Sequence, residues 1–151
     1  MNSLQKAALK NLQSALESKR ADEMEFAIFD SFPAGINGDF IEVLTAILEC
    51  DWHTRHEDVA RALQDLKDPR SIDVLYKTAQ RKFAYLEYND SKALARKCIW
   101  ALADIGTVAA HQKLQALAKL SDKEIAAYAQ KRLDGWEKEL ARKGPGQKGV
   151  G

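Results

Sequence analysis

Ala62-Leu63-Gln64-Asp65-Leu66 returns 39 residues later as Ala101-Leu102-Ala103-Asp104-Ile105. A second echo runs the other way: Ile72-Asp73-Val74-Leu75 repeats the pattern of Ile41-Glu42-Val43-Leu44, 31 residues earlier. Each copy lies in a stretch whose apolar residues recur at helical spacing. Self-similarity with a period of about 30 to 40 residues predicts a helical repeat protein, in which each helix pair buries its apolar face only by stacking on a neighbour. Such stacks present surfaces for binding more readily than closed catalytic pockets.

Outward from these copies the periodicity predicts eight helices. The first covers about 3–18, with Leu4, Ala8, Leu12, Ala15 and Leu16 on one face. The second covers about 22–32 and carries Phe26, Ile28, Phe29 and Phe32; Pro33 to Gly38 reads as a loop. Asp39 with Glu42 looks like a capping pair for a third helix ending near Cys50, and Thr54 with Glu57 for a fourth. Asp68-Pro69 is a start signal for the fifth helix, a capping residue followed by proline at the first helical position. Residues 81–89, rich in aromatics, are an insertion relative to the other repeat, expected to extend the helix or bulge out. The sixth helix is expected from Asp90-Ser91. Gly106-Thr107 makes a tight corner into the seventh, and Ser121 with Glu124 opens an eighth that runs to about Ala141. The domain is thus expected over residues 1–141, with a disordered Gly/Lys tail over 142–151.

The composition agrees with a folded chain: 46% of residues are hydrophobic and the formal net charge is +1. That small number hides a polarity. Residues 21–60 hold ten acids and one base, a balance of −9, whereas residues 61–151 are at +7 and residues 1–20 at +3. No apolar run is long enough to span a bilayer, and no continuous apolar segment reads as a secretory signal. Residues 2–20 form a basic amphipathic stretch like an organelle presequence, but Glu17, the use of Lys and the regular apolar stripe favour an ordinary first helix. Two cysteines, Cys50 and Cys98, are too few for a disulfide framework. Cytoplasmic residence is expected. Cys98 stands at the repeat position of Val59 and is therefore expected in the core.

These features resemble HEAT-type helical repeat proteins. The match rests on Val59 to Ala79 and Cys98 to Ala118, each a helix ending in Ala-Leu-x-Asp-(Leu/Ile), a corner, and a helix with Leu-x-x-x-Ala. The resemblance runs from about residue 39 to residue 133 and departs at Pro33–Gly38 and at 81–89. It implies an all-α, right-handed α–α superhelix of about eight helices, whose first and last helices cap the stack. It also implies that the second helix of each pair lines the concave face. The repeat register then sorts exposed positions into rows: Glu42, Asp73 and Gln112; Thr45, Tyr76 and Gln115; Glu49, Gln80 and Lys119. This surface runs from acidic to weakly basic, and acidic ground attracts a basic partner.

Competing chemistry is weak. Cys50-Asp51-Trp52-His53-Thr54-Arg55-His56 gathers a thiol and two imidazoles, but a zinc site needs about four ligands in tetrahedral reach and a helix starts between the histidines. A polar corner between helices, anchored by Trp52, is the expected reading; no metal and no cofactor are expected. His111 reads as a packing residue and Trp136 as core. Trp100 reads either as packed on the 81–89 insertion or as a surface anchor. No nucleophile elbow, phosphate loop or metal motif is present.

The expected function is a non-enzymatic, protein-binding one. The chain is similar in size and build to helical-repeat immunity proteins that neutralise bacterial toxins. That resemblance implies a basic, nuclease-type toxin domain as partner, its active site covered by an acidic surface. The expected contact residues are Asp39, Glu42, Glu49, Asp51 and Asp73, with Trp52, Tyr76, Tyr85 and Tyr88 as aromatic anchors. A general scaffold is the second expectation. A DNA-binding enzyme like the alkylpurine glycosylases, which share HEAT-like folds, is the third; the acidic groove makes nucleic acid an unfavourable ligand. No membrane partner is expected.

Overall fold

The computed structural model describes residues 1–87 and 92–143, and every regular element among them is helical. The helices are α1 (Ser3–Ser18), α2 (Ala21–Ala34), α3 (Ile41–Glu49), α4 (His56–Leu66), α5 (Ile72–Thr78), α6 (Lys92–Ile105), α7 (Val108–Ala118), α8 (Lys123–Asp134) and α9 (Trp136–Lys143). Short 3-10 turns stand at Gly38–Phe40, Pro69–Ser71 and Ala84–Leu86. Tyr88 and the Asp90-Ser91 helix start lie outside the described residues, as does the tail from Gly144 onward.

From α3 onward as far as α8, and for α1 with α3, helices two apart in sequence touch. One layer holds α1, α3, α5 and α7, each against the next; the other holds α4, α6 and α8. The 39-residue echo therefore superposes α4 on α6, and these two share the most extensive contact in the molecule. Val59 and Cys98, the paired repeat positions, are both buried. The two aspartates of the echo differ. Asp65 faces solvent, while Asp104 accepts a 2.9 Å hydrogen bond from Gln64 Nε2, so the copies are stitched together across the layer.

Helix ends show where local chemistry was misread. Asn37, not Asp39, caps the turn into α3: its side chain accepts from the Asp39 amide at 2.9 Å. Thr54 caps nothing, because His53 Nδ1 already accepts the Arg55 amide at the entrance to α4. Asp122 rather than Ser121 caps α8, accepting from the amides of Glu124 and Ile125. Asp68-Pro69 acts as expected, with the Asp68 carboxylate accepting from the Arg70 amide. Gly106, at φ 71°, and Thr107, which accepts from the Ala110 amide, form the expected corner. Pro33 lies inside the last turn of α2 rather than in a loop, and the helix closes at Gly35, φ 96°, whose carbonyl accepts from Gln5 Nε2 at 2.9 Å.

The expected eighth helix is two. Gly135, poor in helix propensity, closes α8 by donating to the Lys131 carbonyl, and α9 turns back with Trp136 edge-on to His111 at 4.5 Å. Arg132 and Glu139 pair across the break at 3.2 Å. The described helices are thus nine rather than eight. The 81–87 segment neither extends a helix nor bulges out: Phe83 and Leu86 are buried and Tyr85 points to His56.

The stripe expected for α2 is also corrected. Met24, Ala27, Ile28 and Ser31 face inward, at the i, i+3, i+4, i+7 spacing of one helical face. That leaves Phe26, Phe29 and Phe32 at 73%, 46% and 40% exposure. Leu4 of α1, expected inside, is 70% exposed. The α1–α2 pair therefore exposes apolar side chains on its outer face.

Two predictions follow from local environment. Burial pushes the Cys98 thiol up to about 12, whereas Cys50 is only half-buried; native protein should be alkylated by iodoacetamide at Cys50 alone, and at Cys98 only after denaturation. Lys67 ends α4 in the left-handed region at φ 53°, so Lys67→Gly should raise unfolding stability by about 1 kcal/mol in a denaturant titration.

Candidate functional site

The acids of 21–60 divide into paired and unpaired sets. Arg20 meets Asp22 and Glu23 at 3.2 and 3.7 Å, and Arg55 holds Glu25 and Asp58. Lys97 of α6 holds Glu57 at 3.0 Å. Among the described residues Asp30, Asp39, Glu42, Glu49 and Asp51 form no ion pair. Four of these five belong to one strip along α3. Asp39 stands in the turn before it, Glu42 and Glu49 lie on its exposed face, and Asp51 follows its end. Glu42 and Glu49 are seven residues apart, so they share that face about 10 Å apart along the axis.

Two arginines reach the ends of this strip without neutralising it by contact. Arg70 Nη2 donates to the Gly38 carbonyl at 3.1 Å while its main partner is Asp68 at 2.8 Å. Its pKa is raised first by Asp68, and further by the nearby charges of Glu42 and Asp39. Arg81 Nη1 donates to the carbonyls of Glu49 and Leu48, closing the C-terminus of α3, and lies over the Phe83 ring at 4.5 Å. Both guanidiniums satisfy backbone oxygens that a helix end leaves open.

The neighbouring α5 is different. Lys113 of α7 approaches Asp73 at 3.8 Å and sits over the Tyr76 ring at 4.6 Å. Lys113, rather than Gln112, is the α7 residue that meets Asp73, and its cation offsets the Asp73 charge. Asp39 and Glu42 stand at the start of α3, where both act on Arg70, and Glu49 and Asp51 stand at its end, where both act on Cys50; Asp73 and Tyr76 lie on α5 under Lys113. Trp52 is half-buried, edge-on to His53 at 5.5 Å. Sequence reasoning overlooked Arg70, Arg81 and Lys113. Their repeat positions are ordinary surface ones, and only the fold brings them to α3 and α5.

Tyr85 faces the corner between α3 and α4. His53 Nε2 lies 2.8 Å from the Ile47 carbonyl, and its Nδ1 accepts from the Arg55 amide. His56 Nε2 bonds the Cys50 carbonyl, and its Nδ1 lies 2.7 Å from the Tyr85 hydroxyl. A carbonyl only accepts, so both rings donate from Nε2, and His53, whose Nδ1 accepts the Arg55 amide, is neutral. The rings stack at 4.1 Å, with Phe83 a further 4.1 Å from His56. Burial pushes the Tyr85 hydroxyl up to about 12, which keeps it a donor. All four imidazole nitrogens are thus committed to structure. Among the described residues no group of His, Cys, Asp and Glu is disposed to hold a metal ion. Trp100 is exposed and carries Arg96 over its ring at 5.4 Å.

The corner has a pH signature. Burial is the main cause that holds both imidazoles below their usual range, His56 down to about 4 from 6.5. A neutral form preferred in the fold stabilises fully above pH 6.5, and that stabilisation is lost as pH falls from 6.5 toward 4, where the unfolded chain binds a proton the fold refuses. His56 alone accounts for up to on the order of 3 kcal/mol. Melting temperature should therefore drop across this window, and His56→Gln, although less stable at neutral pH, should show a shallower slope; an unchanged slope would refute the assignment.

In comparisons of the chain with protein-family models, with curated proteins and with solved structures, nothing matches.

Proposed function

We propose that the chain is a protein-binding module whose helix pairs form a right-handed, HEAT-type solenoid. We further propose that it acts as an immunity protein, covering the active site of a basic, nuclease-type toxin with an acidic surface. The layering of α1, α3, α5 and α7 beside α4, α6 and α8, together with the 39-residue echo, supports the architecture. The observation that carries the function is the strip of unpaired acids at Asp39, Glu42, Glu49 and Asp51. Half of the acids in the same segment are paired, whereas Glu42 and Glu49 on α3 and Asp39 and Asp51 at its two ends form no ion pair among the described residues. Like charges grouped and unpaired cost stability in the free protein, and a cationic surface relieves that cost on binding. Nuclease surfaces that hold a phosphate backbone are cationic, so their chemistry fits. The same strip repels nucleic acid, which argues against a glycosylase-like activity. Thr45 and Tyr76, half-buried beside the acids, add uncharged contact area.

The test is binding and inhibition of a nuclease domain encoded beside this chain. Charge reversal at Glu42→Lys with Glu49→Lys should weaken binding by about tenfold or more, chiefly through slower association that depends steeply on salt. Asp65→Lys, an exposed acid on α4, should leave binding unchanged. Equal binding by the double variant would move the contact off α3, and the lack of any such neighbour would favour a general scaffold.

A further inference from the structure

The outer side of the α1–α2 pair carries a groove that the acidic strip does not use. Two hollows of about 280 and 270 Å³ open along it. The first is bounded by Leu4, Ala7, Asn11 and Pro33, the second by Asn11, Ser14, Glu23 and Phe26. Asn11 and Asp30 border both hollows, so they mark the point where the two meet. The floor is built from small residues, Ala8, Ala15 and Ala27, and the walls from exposed Leu4 and Phe26. From Leu4 to Ser14 the groove follows α1 for about 15 Å, roughly three helical turns. It is also unclaimed within the fold: α2 packs chiefly on α1, and its ties toward α4 run through Arg55, which holds Glu25 and covers Phe29 at 4.8 Å.

Charge says what fits. The charged residues that line the two hollows are Glu23 and Asp30, with no Lys or Arg among them. Glu23 is shared with Arg20 at 3.7 Å, whereas Asp30 forms no ion pair among the described residues. An occupant must place apolar side chains in both hollows and a cation at Asp30 between them. A straight groove lined by small residues, with two hollows one to two turns apart, is the receiving geometry for a helix. We infer that this groove docks an amphipathic helix of a partner protein, with two large apolar anchors on one face and a Lys or Arg between them that meets Asp30. A second copy of this chain fits less well, because apposing the two grooves about a two-fold axis at their midpoint brings Asp30 against its own copy and supplies no Lys or Arg to meet it. The surface is separate from α3, and the inference stands or falls independently of the toxin-inhibitor reading.

The probe is a fluorescein-labelled, alanine-rich helical peptide of about four turns, with two leucines two turns apart and a lysine between them on the same face. Fluorescence anisotropy should show saturable binding that weakens with salt. Replacing the peptide lysine by glutamate, or introducing Asp30→Lys, should weaken it by about tenfold. Ala7→Phe, which fills the first hollow from an exposed position, should do the same without changing the melting temperature. The pair Glu42→Lys with Glu49→Lys should leave peptide binding intact, which separates this groove from the α3 surface. Absence of binding, or equal affinity for the lysine and glutamate peptides or for the groove variants, overturns the inference. So does a dimer of the free protein in analytical ultracentrifugation that Ala7→Phe dissociates, since the groove would then belong to a second copy.

Discussion

Helix α6 is packed on several sides at once, against α4, α5, α7 and α8, and the rest of the structure depends on that burial. Eight of its residues are buried, and four of them are small: Ala95, Cys98, Ala101 and Ala103. Small side chains let neighbouring backbones approach closely, and the larger Leu94, Ile99, Leu102 and Ile105 fill what remains. Truncating one of those large residues would cost about 2 to 5 kcal/mol, a large fraction of the stability of a domain this size. By contrast, the outward-facing side of α3 and the groove face of α1 and α2 touch little, so their side chains can be specialised for a partner with small effect on the fold.

The ion pairs make the same division. Lys97 with Glu57 and Lys92 with Asp122 join helices that the core already holds together. Both pairs are part-buried, and pairs that still reach solvent are worth about 1 kcal/mol each, so their chief effect is on surface potential. Where they occur the field is cancelled, and where they are missing, along α3, it persists into solvent. Arg70 and Arg81 sharpen the contrast, because each directs its hydrogen bonds to backbone oxygens at an end of α3 and leaves Glu42 and Glu49 without a contacting cation.

Sequence patterns that depend on many residues were legible; those that depend on one contact were not. The all-helical class, the pairing of Val59 with Cys98 and the Gly106-Thr107 corner all follow from periodicity or from backbone chemistry that holds in any context. The capping residue of α3 did not, because Asn37 and Asp39 are equally good caps and only the turn decides between them. The phenylalanines of α2 were misjudged for a physical reason. Phe26, Ile28, Phe29 and Phe32 cannot all share one helical face, and the smaller Ala27 and Ser31 take the inward positions because α1 lies close. The polar corner between α3 and α4 was legible as a corner, yet its partner Tyr85 was invisible, since nothing local ties residue 85 to residue 56.

The misjudged phenylalanines bear most directly on binding. Burying a large aromatic side chain on docking is worth about 2 to 3 kcal/mol, so leaving Phe26 in water forgoes energy that an inward-facing Phe26 would have contributed to folding. The α1–α2 pair exposes Phe26 and Leu4 beside Asp30, which forms no ion pair among the described residues, an arrangement that fits the helix docking proposed for this groove. The acidic strip on α3 shows the same physics in electrostatic form. Apolar exposure and unpaired charge therefore converge on the first three helices, while α4 to α8 carry the packing that holds them in place.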